Sequence, residues 1–284
     1  MKKIYVALFL LFSCGSIYAQ DISNNLVGKF TFDTSPDDDL GLLGSSIVQG
    51  ANLTIDRNSR PDSAYSFDGV DDYIEVADND LLDFGETGDF SAALWFKSSG
   101  STDNQIFMHK GTSTSAITLR MINSGTLMFS IRVGTLNETL ETTQTYDDGQ
   151  WHHAAFTLDR DGKQRIYVDG VQVAERNYTG SGTLTNSSVM RFGTFSTSVT
   201  QLLNGSLDDI YIYSRALAAR DVQELAEVEP DISTDLIAKY EFSGNTDDGA
   251  GNLAAGSVVG STLASDRYDQ ANSAYSFDGV DDYI

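Results

Sequence analysis

Ser63-Ala64-Tyr65-Ser66-Phe67-Asp68-Gly69-Val70-Asp71-Asp72-Tyr73-Ile74 returns unchanged as Ser273 to Ile284, 210 residues later. The same offset carries Leu26-Val27-Gly28-Lys29-Phe30-Thr31-Phe32 onto Leu236-Ile237-Ala238-Lys239-Tyr240-Glu241-Phe242. It also carries Asp37-Asp38 onto Asp247-Asp248, and Asp56-Arg57 onto Asp266-Arg267. A gapless match from Leu26 to Ile74 predicts two homologous modules, the second broken off mid-strand at Ile284. Solenoid repeats have units of roughly 20–50 residues, so this offset predicts separate modules in tandem rather than a stacked array. Pro230 lies in the polar stretch that joins them. The expected division is a module over 24–228, a linker over 229–234 and the front of a second copy over 235–284. Alone, that fragment holds too few strands to bury a core of its own.

Inside the first module the dominant period is two. Phe90, Ala92, Leu94 and Phe96 alternate with Ser91, Ala93, Trp95 and Lys97, and Ile117, Leu119 and Met121 alternate with Thr118 and Arg120. Leu127, Phe129 and Ile131 continue the pattern, as do Ala154, Phe156 and Leu158. Asp169-Gly170 separates Ile166 and Val168 from Val171 and Val173, which predicts a two-residue hairpin turn with both central residues at positive φ. Short alternating strands joined by glycine-rich turns predict an all-β fold of two antiparallel sheets packed as a sandwich. One helix is expected, at Ala218 to Leu225, packed across one end of the module.

Lys2, Lys3 and the apolar run Ile4 to Phe12, followed by Ile17-Tyr18-Ala19, have the layout of a secretory signal peptide over 1–19. That run is too short for a membrane span, which needs about 20 apolar residues, and no transmembrane segment is expected after it. Leu11-Phe12-Ser13-Cys14-Gly15 loosely resembles a lipobox, a second reading in which Cys14 carries a lipid at the cell surface. Cys14 is the only cysteine, so no disulfide is available to the exported chain. Losing Lys2 and Lys3 takes the formal net charge from −23 to −25. Such a surface repels phosphate backbones and anionic lipid, which argues against nucleic acid as a partner.

Five segments in order resemble a known family. They are Tyr65 to Ile74, Phe90 to Lys97, Trp151-His152-His153-Ala154-Ala155-Phe156, Ile166 to Val171, and Gly205-Ser206-Leu207-Asp208-Asp209-Ile210-Tyr211-Ile212-Tyr213. Together they are similar to laminin-G-like and pentraxin-like domains, which are concanavalin A-type jelly rolls. The resemblance implies a module of secreted proteins that binds carbohydrate or protein, often with calcium. Many members carry a cysteine pair that this sequence lacks. The fold does not fix the ligand, which has to be argued from a site.

Calcium takes six to eight oxygens, so loops rich in Asp are the candidates. Asp71 and Asp72 follow a strand in a turn. Asp208 begins the last strand, and the resemblance implies that Asp33 lies close to it. Turn capping, or a buried structural carboxylate on the face of Ile210 and Ile212, is the competing explanation. His152 and His153 are adjacent in a strand and leave on opposite faces, so they cannot clasp one metal. The same jelly roll carries glucanases, but no Glu-x-Asp-x-x-Glu run occurs, and no catalytic residues are expected. Trp95 and Trp151 lie in strand patterns that suggest core packing. Tyr146 and Tyr178, in polar loop sequence, are the candidate platforms for stacking on a sugar.

The expected function is an extracellular module for adhesion or for binding a glycan or glycoprotein, calcium-assisted and without covalent chemistry. A structural spacer is the alternative, as is an accessory module of a glycan-degrading enzyme.

Overall fold

The computed structural model describes residues 22–100 and 103–227, and 238, 240, 242, 244–249, 251–265 and 271–284 of the segment that follows. The expected signal peptide, Cys14 and the expected linker 229–234 lie outside the described residues. Contacts divide the chain into two compact units, Met1–Val228 and Glu229–Ile284.

In the first unit the alternating segments form strands. The first five are β1 (Leu26–Phe30), β2 (Ser46–Gln49), β3 (Asn52–Thr54), β4 (Ala64–Asp68) and β5 (Tyr73–Val76). The middle of the chain forms β6 (Phe90–Ser98), β7 (Gln105–Gly111), β8 (Ser115–Met121), β9 (Thr126–Val133) and β10 (Leu136–Thr145). Then come β11 (Trp151–Leu158), β12 (Lys163–Val168), β13 (Val171–Asn177), β14 (Met190–Phe192) and β15 (Asn204–Tyr213), and last the helix α1 (Ala219–Leu225). One sheet runs β13-β12-β11-β6-β15-β4-β3, with β1 also on β15. The other runs β10-β9-β8-β7-β14-β5-β2. Every pairing is antiparallel, and the two sheets form the jelly-roll sandwich.

The core lies between the sheets. Phe90, Ala92, Leu94 and Phe96 of β6 meet Leu127, Phe129 and Ile131 of β9 in one cluster with Phe30, Phe107, Phe156 and Phe192. Edge-on ring contacts such as Phe30 on Phe192, 5.1 Å between centroids, fill it without a disulfide. The Asp169-Gly170 turn has φ of 49° and 76°, which matches the expected hairpin between β12 and β13.

Two expectations change. The helix does not cap an end. It lies on the outer face of the eight-stranded sheet, where Leu217, Val222 and Leu225 cover Ala93, Ala155, Tyr167 and Tyr213. At its start Asp221 accepts from the Ala218 amide at 3.0 Å and from Arg215 at 2.5 Å. Trp95 also sits on this outer face rather than in the core, beneath Arg57.

In the second unit, strands β16 (Thr262–Ala264) and β17 (Ala274–Ser276) pair with Leu263 opposite Tyr275. In the first unit Leu53 lies opposite Tyr65, the same pair 210 residues earlier. Asp248 accepts from the Asn252 and Leu253 amides as Asp38 does from Leu42 and Leu43.

Candidate functional site

The outer face of the seven-stranded sheet carries a polar row that crosses five strands. Arg191 on β14 lies opposite His109 on β7, His109 opposite Thr118 on β8, Thr118 opposite Ser130 on β9, and Ser130 opposite Thr139 on β10. Alternation sets this up. Ile117, Leu119 and Met121 go inward, so Thr118 and Arg120 face out, and inward Phe129 and Ile131 send Ser130 and Arg132 outward. Above this floor is a cavity of about 680 Å³, lined by His109, Thr118, Arg120, Ser130, Arg132 and Phe195, with Asn137 also in the wall. That size lies within the range of small-molecule pockets.

The loop after β14 forms one side of the cavity. Thr194 folds it by accepting from the Thr200 amide at 3.0 Å and donating to the Thr200 carbonyl at 2.9 Å. Phe195 packs edge-on against the His109 ring, 4.7 Å between centroids. The Ser196 amide donates to His109 Nδ1 at 3.1 Å, and Ser196 Oγ donates to the Gly111 carbonyl at 3.0 Å. Because Nδ1 accepts, the neutral ring carries its proton on Nε2. Burial and then the charge of Arg120 lower the His109 pKa to about 4. Burial likewise holds Arg120 below its usual pKa, against the opposing pull of Glu141. Arg120 donates to Gln201 Oε1 at 3.3 Å, while its Nε and Ser130 Oγ are buried without a hydrogen-bond partner. Among the described residues, no carboxylate lines the cavity. The wall therefore offers hydroxyls, an imidazole donor, guanidinium groups and an aromatic edge, a set suited to gripping a polar ligand.

The residues expected from sequence lie elsewhere. Asp208 is fully buried on β15, but not beside Ile210 and Ile212. A bulge at Asp209, φ 42°, breaks the alternation, so Ile210 and Ile212 enter the core while Asp208 shares the outer face with its partner Trp95. Arg57 donates to Asp208 at 3.0 Å and to Asp209 at 2.5 Å, and reaches Glu227 at 2.6 Å. Its guanidinium lies 4.7 Å from the Trp95 ring centroid. Burial, then the charge of Asp209, raises the Asp208 pKa to about 7, with Arg57 opposing. Strands β1 and β15 do pair, which brings Asp33 near, but Asp33 meets Arg60 at 3.1 Å and Arg60 meets Asp56 at 2.6 Å. Arginines stand where a calcium ion between Asp33 and Asp208 was expected.

Asp71 and Asp72 come together with Asp68. One oxygen from each of the three lies within 4.8 Å of the others, a donor set that fits a hard cation. Asp72 is buried and accepts from the Asp68 amide at 2.8 Å. Burial raises its pKa, with Asp68 and Asp71 adding to the rise.

Tyr146 and Tyr178 are both buried and cannot serve as exposed sugar platforms. Tyr146 packs against His152, 5.5 Å between ring centroids, and Arg160 covers Tyr178 at 5.4 Å. His152 and His153 leave on opposite faces, as adjacent strand residues must. His152 meets Asp169 at 2.9 Å and His153 packs against Trp95.

Among the described residues no helix is long and apolar enough to cross a membrane. A laminin-G family profile, described as the concanavalin A-like lectin/glucanases superfamily, matches residues 68–223. Laminin subunit alpha-4 of Mus musculus is 25% identical over 178 residues, which are 62% of this chain but only 10% of that protein. Domain 4 of AbnA, a GH43 extracellular arabinanase from Geobacillus stearothermophilus, in complex with arabinotriose, superposes with a TM-score of 0.60 at 20% identity, covering 71% of this chain and 98% of that domain. The binding domain of Paraclostridial Mosquitocidal Protein 1 superposes at 0.61 and 17% identity, covering 81% of this chain and 56% of that one. With the sandwich, its helix and the five sequence segments all in place, the chain belongs to the laminin-G branch of the concanavalin A-like lectin/glucanases superfamily.

Proposed function

We propose that this chain is an exported, non-catalytic module that binds a glycan, free or on an extracellular glycoprotein, at the cavity on the seven-stranded sheet. The observation that carries the proposal is the cavity wall, where hydroxyl, imidazole and guanidinium donors converge beside Phe195 with no carboxylate among them. Glycoside hydrolysis generally needs two carboxylates facing the scissile bond, and this wall supplies none. The arabinanase domain supports a glycan as ligand, since it was captured with arabinotriose and is matched almost throughout. It also favours a second reading, an accessory module of a glycan-degrading enzyme, because that domain is one part of a hydrolase.

Secretion or display at the cell surface belongs to this proposal and rests on the leader-like first nineteen residues. A tandem second copy rests on the 210-residue repeat and on the local hydrogen bonds that recur with it. The calcium part rests on Asp68, Asp71 and Asp72, which would hold the ion and stiffen the turn after β4.

A glycan array with the purified chain tests the main reading. Binding to defined oligosaccharides that is lost in Thr118→Val/Ser130→Val supports it. Binding unaffected by that double substitution places the glycan elsewhere, and reducing sugar released from polysaccharide would overturn the non-catalytic assignment.

A further inference from the structure

The chain has 41 acidic and 18 basic residues, yet among the described residues two arginines and no acid line the cavity. Most other arginines of the first unit are neutralised. Arg57, Arg60, Arg165, Arg176, Arg191 and Arg215 each meet a carboxylate within 4.0 Å. Among the described residues, neither Arg120 nor Arg132 has such a partner. The cost of withdrawing Arg120 from water is thus offset only in part, by the bond to Gln201 and the more distant charge of Glu141, and its buried Nε still lacks an acceptor.

The register sets the spacing. Arg120 lies opposite Met128 and Arg132 opposite Ala116, with the Thr118–Ser130 pair midway between them. Four strand positions separate the two arginines, roughly 13 Å along β8 at ~3.3 Å per residue. A floor of hydroxyls flanked by guanidinium groups suits a sugar chain whose acidic substituent reaches one of them. Guanidinium is the side chain best matched to a planar carboxylate or a sulfate, through paired N–H donors.

Resting on the glycan-binding proposal, we infer that the ligand is an acidic saccharide, its carboxylate or sulfate ester held by Arg120 and Arg132. Charge works against a trivial explanation. A surface as acidic as this one repels polyanions, so an anionic glycan binds only where the local field is reversed.

Calorimetric titration of the whole chain with a uronic-acid oligosaccharide, a sulfated oligosaccharide and a neutral arabino-oligosaccharide tests this. At least one acidic ligand is expected to bind tenfold or more tightly than the neutral one, and to weaken as salt is raised. The preferred arm tells carboxylate from sulfate. Arg132→Gln, on a partly exposed side chain, should cost tenfold or more in that affinity, and Arg120→Gln at least as much. Arg220→Gln, on the exposed side of α1, should change nothing. Equal binding of neutral and acidic ligands overturns the inference while leaving glycan binding intact, as does acidic binding that survives Arg132→Gln. Failure of all three ligands, with a folded protein, overturns the glycan reading and this inference with it.

Discussion

Arg57 and Asp208, 151 positions apart in the chain, meet at 3.0 Å on the outer face of the eight-stranded sheet. The guanidinium also holds Asp209 and lies over Trp95, so one cation satisfies a buried and a half-buried carboxylate and covers an indole. Burial works against the charge on Arg57, and Asp209 and Glu227 more than offset it, so its pKa rises. Removing one partner of a buried pair typically costs about 3–5 kcal/mol, because the other charge is stranded. Arg57→Ala should therefore destabilise the first unit by about that much in urea unfolding at pH 8. The loss should shrink at pH 5, where Asp208 takes up a proton and no longer needs the cation. An equal loss at both pH values would mean that packing on Trp95, rather than charge, is what Arg57 contributes.

Ser196 ties the loop after β14 to His109 and Gly111. Ser196→Ala keeps the amide bond to His109 Nδ1 but loses the hydroxyl's bonds to Gly111. A single such loss costs about 1 kcal/mol, which is about 2–4 °C of unfolding midpoint for a domain of this size. Phe195 is carried by the same loop, so affinity for the glycan should fall along with the midpoint. Hydrogen exchange over residues 194–200 should quicken. Unchanged exchange there would show that Thr194 alone holds the loop.

Acid should act on this fold through its histidines. His109 has its pKa lowered from 6.5 to about 4, and His153 to about 3, both chiefly by burial. The unfolded chain takes up those protons as pH falls through 6.5 and the folded chain does not, so stability drops between pH 6.5 and 4. Asp208 acts in the opposite sense. Its pKa is raised from 3.8 to about 7, so its contribution is full below 3.8 and is lost as pH rises through 7. Between pH 4 and 6.5 it offsets part of the histidine loss. His109→Gln should flatten the acid limb by about 1.4 kcal/mol per pH unit, and Asp208→Asn should steepen it by a similar amount. Urea unfolding across pH 4.5–7.5 measures both slopes.

The two sheets, the Asp169-Gly170 turn and most of the core were legible because a period of two is a direct consequence of pleating. The same periodicity misled at Asp208. One extra residue at positive φ, Asp209, reverses which side chains face the core, and nothing in Asp208-Asp209-Ile210 announces it. The cavity was present in the sequence as the complement of what was read. Ile117, Leu119 and Met121 mark the buried face, and alternation alone puts Thr118, Arg120, Ser130 and Arg132 outward without marking them as a site. Two arginines on one outward face of an acidic chain were the available signal. Tyr146 and Tyr178 failed for a different reason. Polar neighbours suggested exposure, but contacts with His152 and Arg160, 6 and 18 residues distant, bury them.

The turn after β4 gives the last prediction. Asp68 Oδ1 accepts from the Val70 amide at 2.7 Å, and Asp72 Oδ2 from the Asp68 amide at 2.8 Å, which shapes the turn without an ion. Those bonds leave oxygen lone pairs free on all three carboxylates, and Asp71 is exposed. Calcium bound there relieves the repulsion from Asp68 and Asp71 that adds to burial in raising the Asp72 pKa. A ligand present at a hundred times its Kd stabilises by about 2.7 kcal/mol, which corresponds to about 5–10 °C in midpoint here. Asp278, Asp281 and Asp282 form an equivalent cluster, so the variant must replace an exposed member of each. Calcium should raise the unfolding midpoint of the intact chain and leave Asp71→Asn/Asp281→Asn unmoved, while chelator should reverse the rise. A midpoint in the intact chain that ignores both calcium and chelator would reduce these aspartates to turn-forming residues, their carboxylates committed to backbone amides.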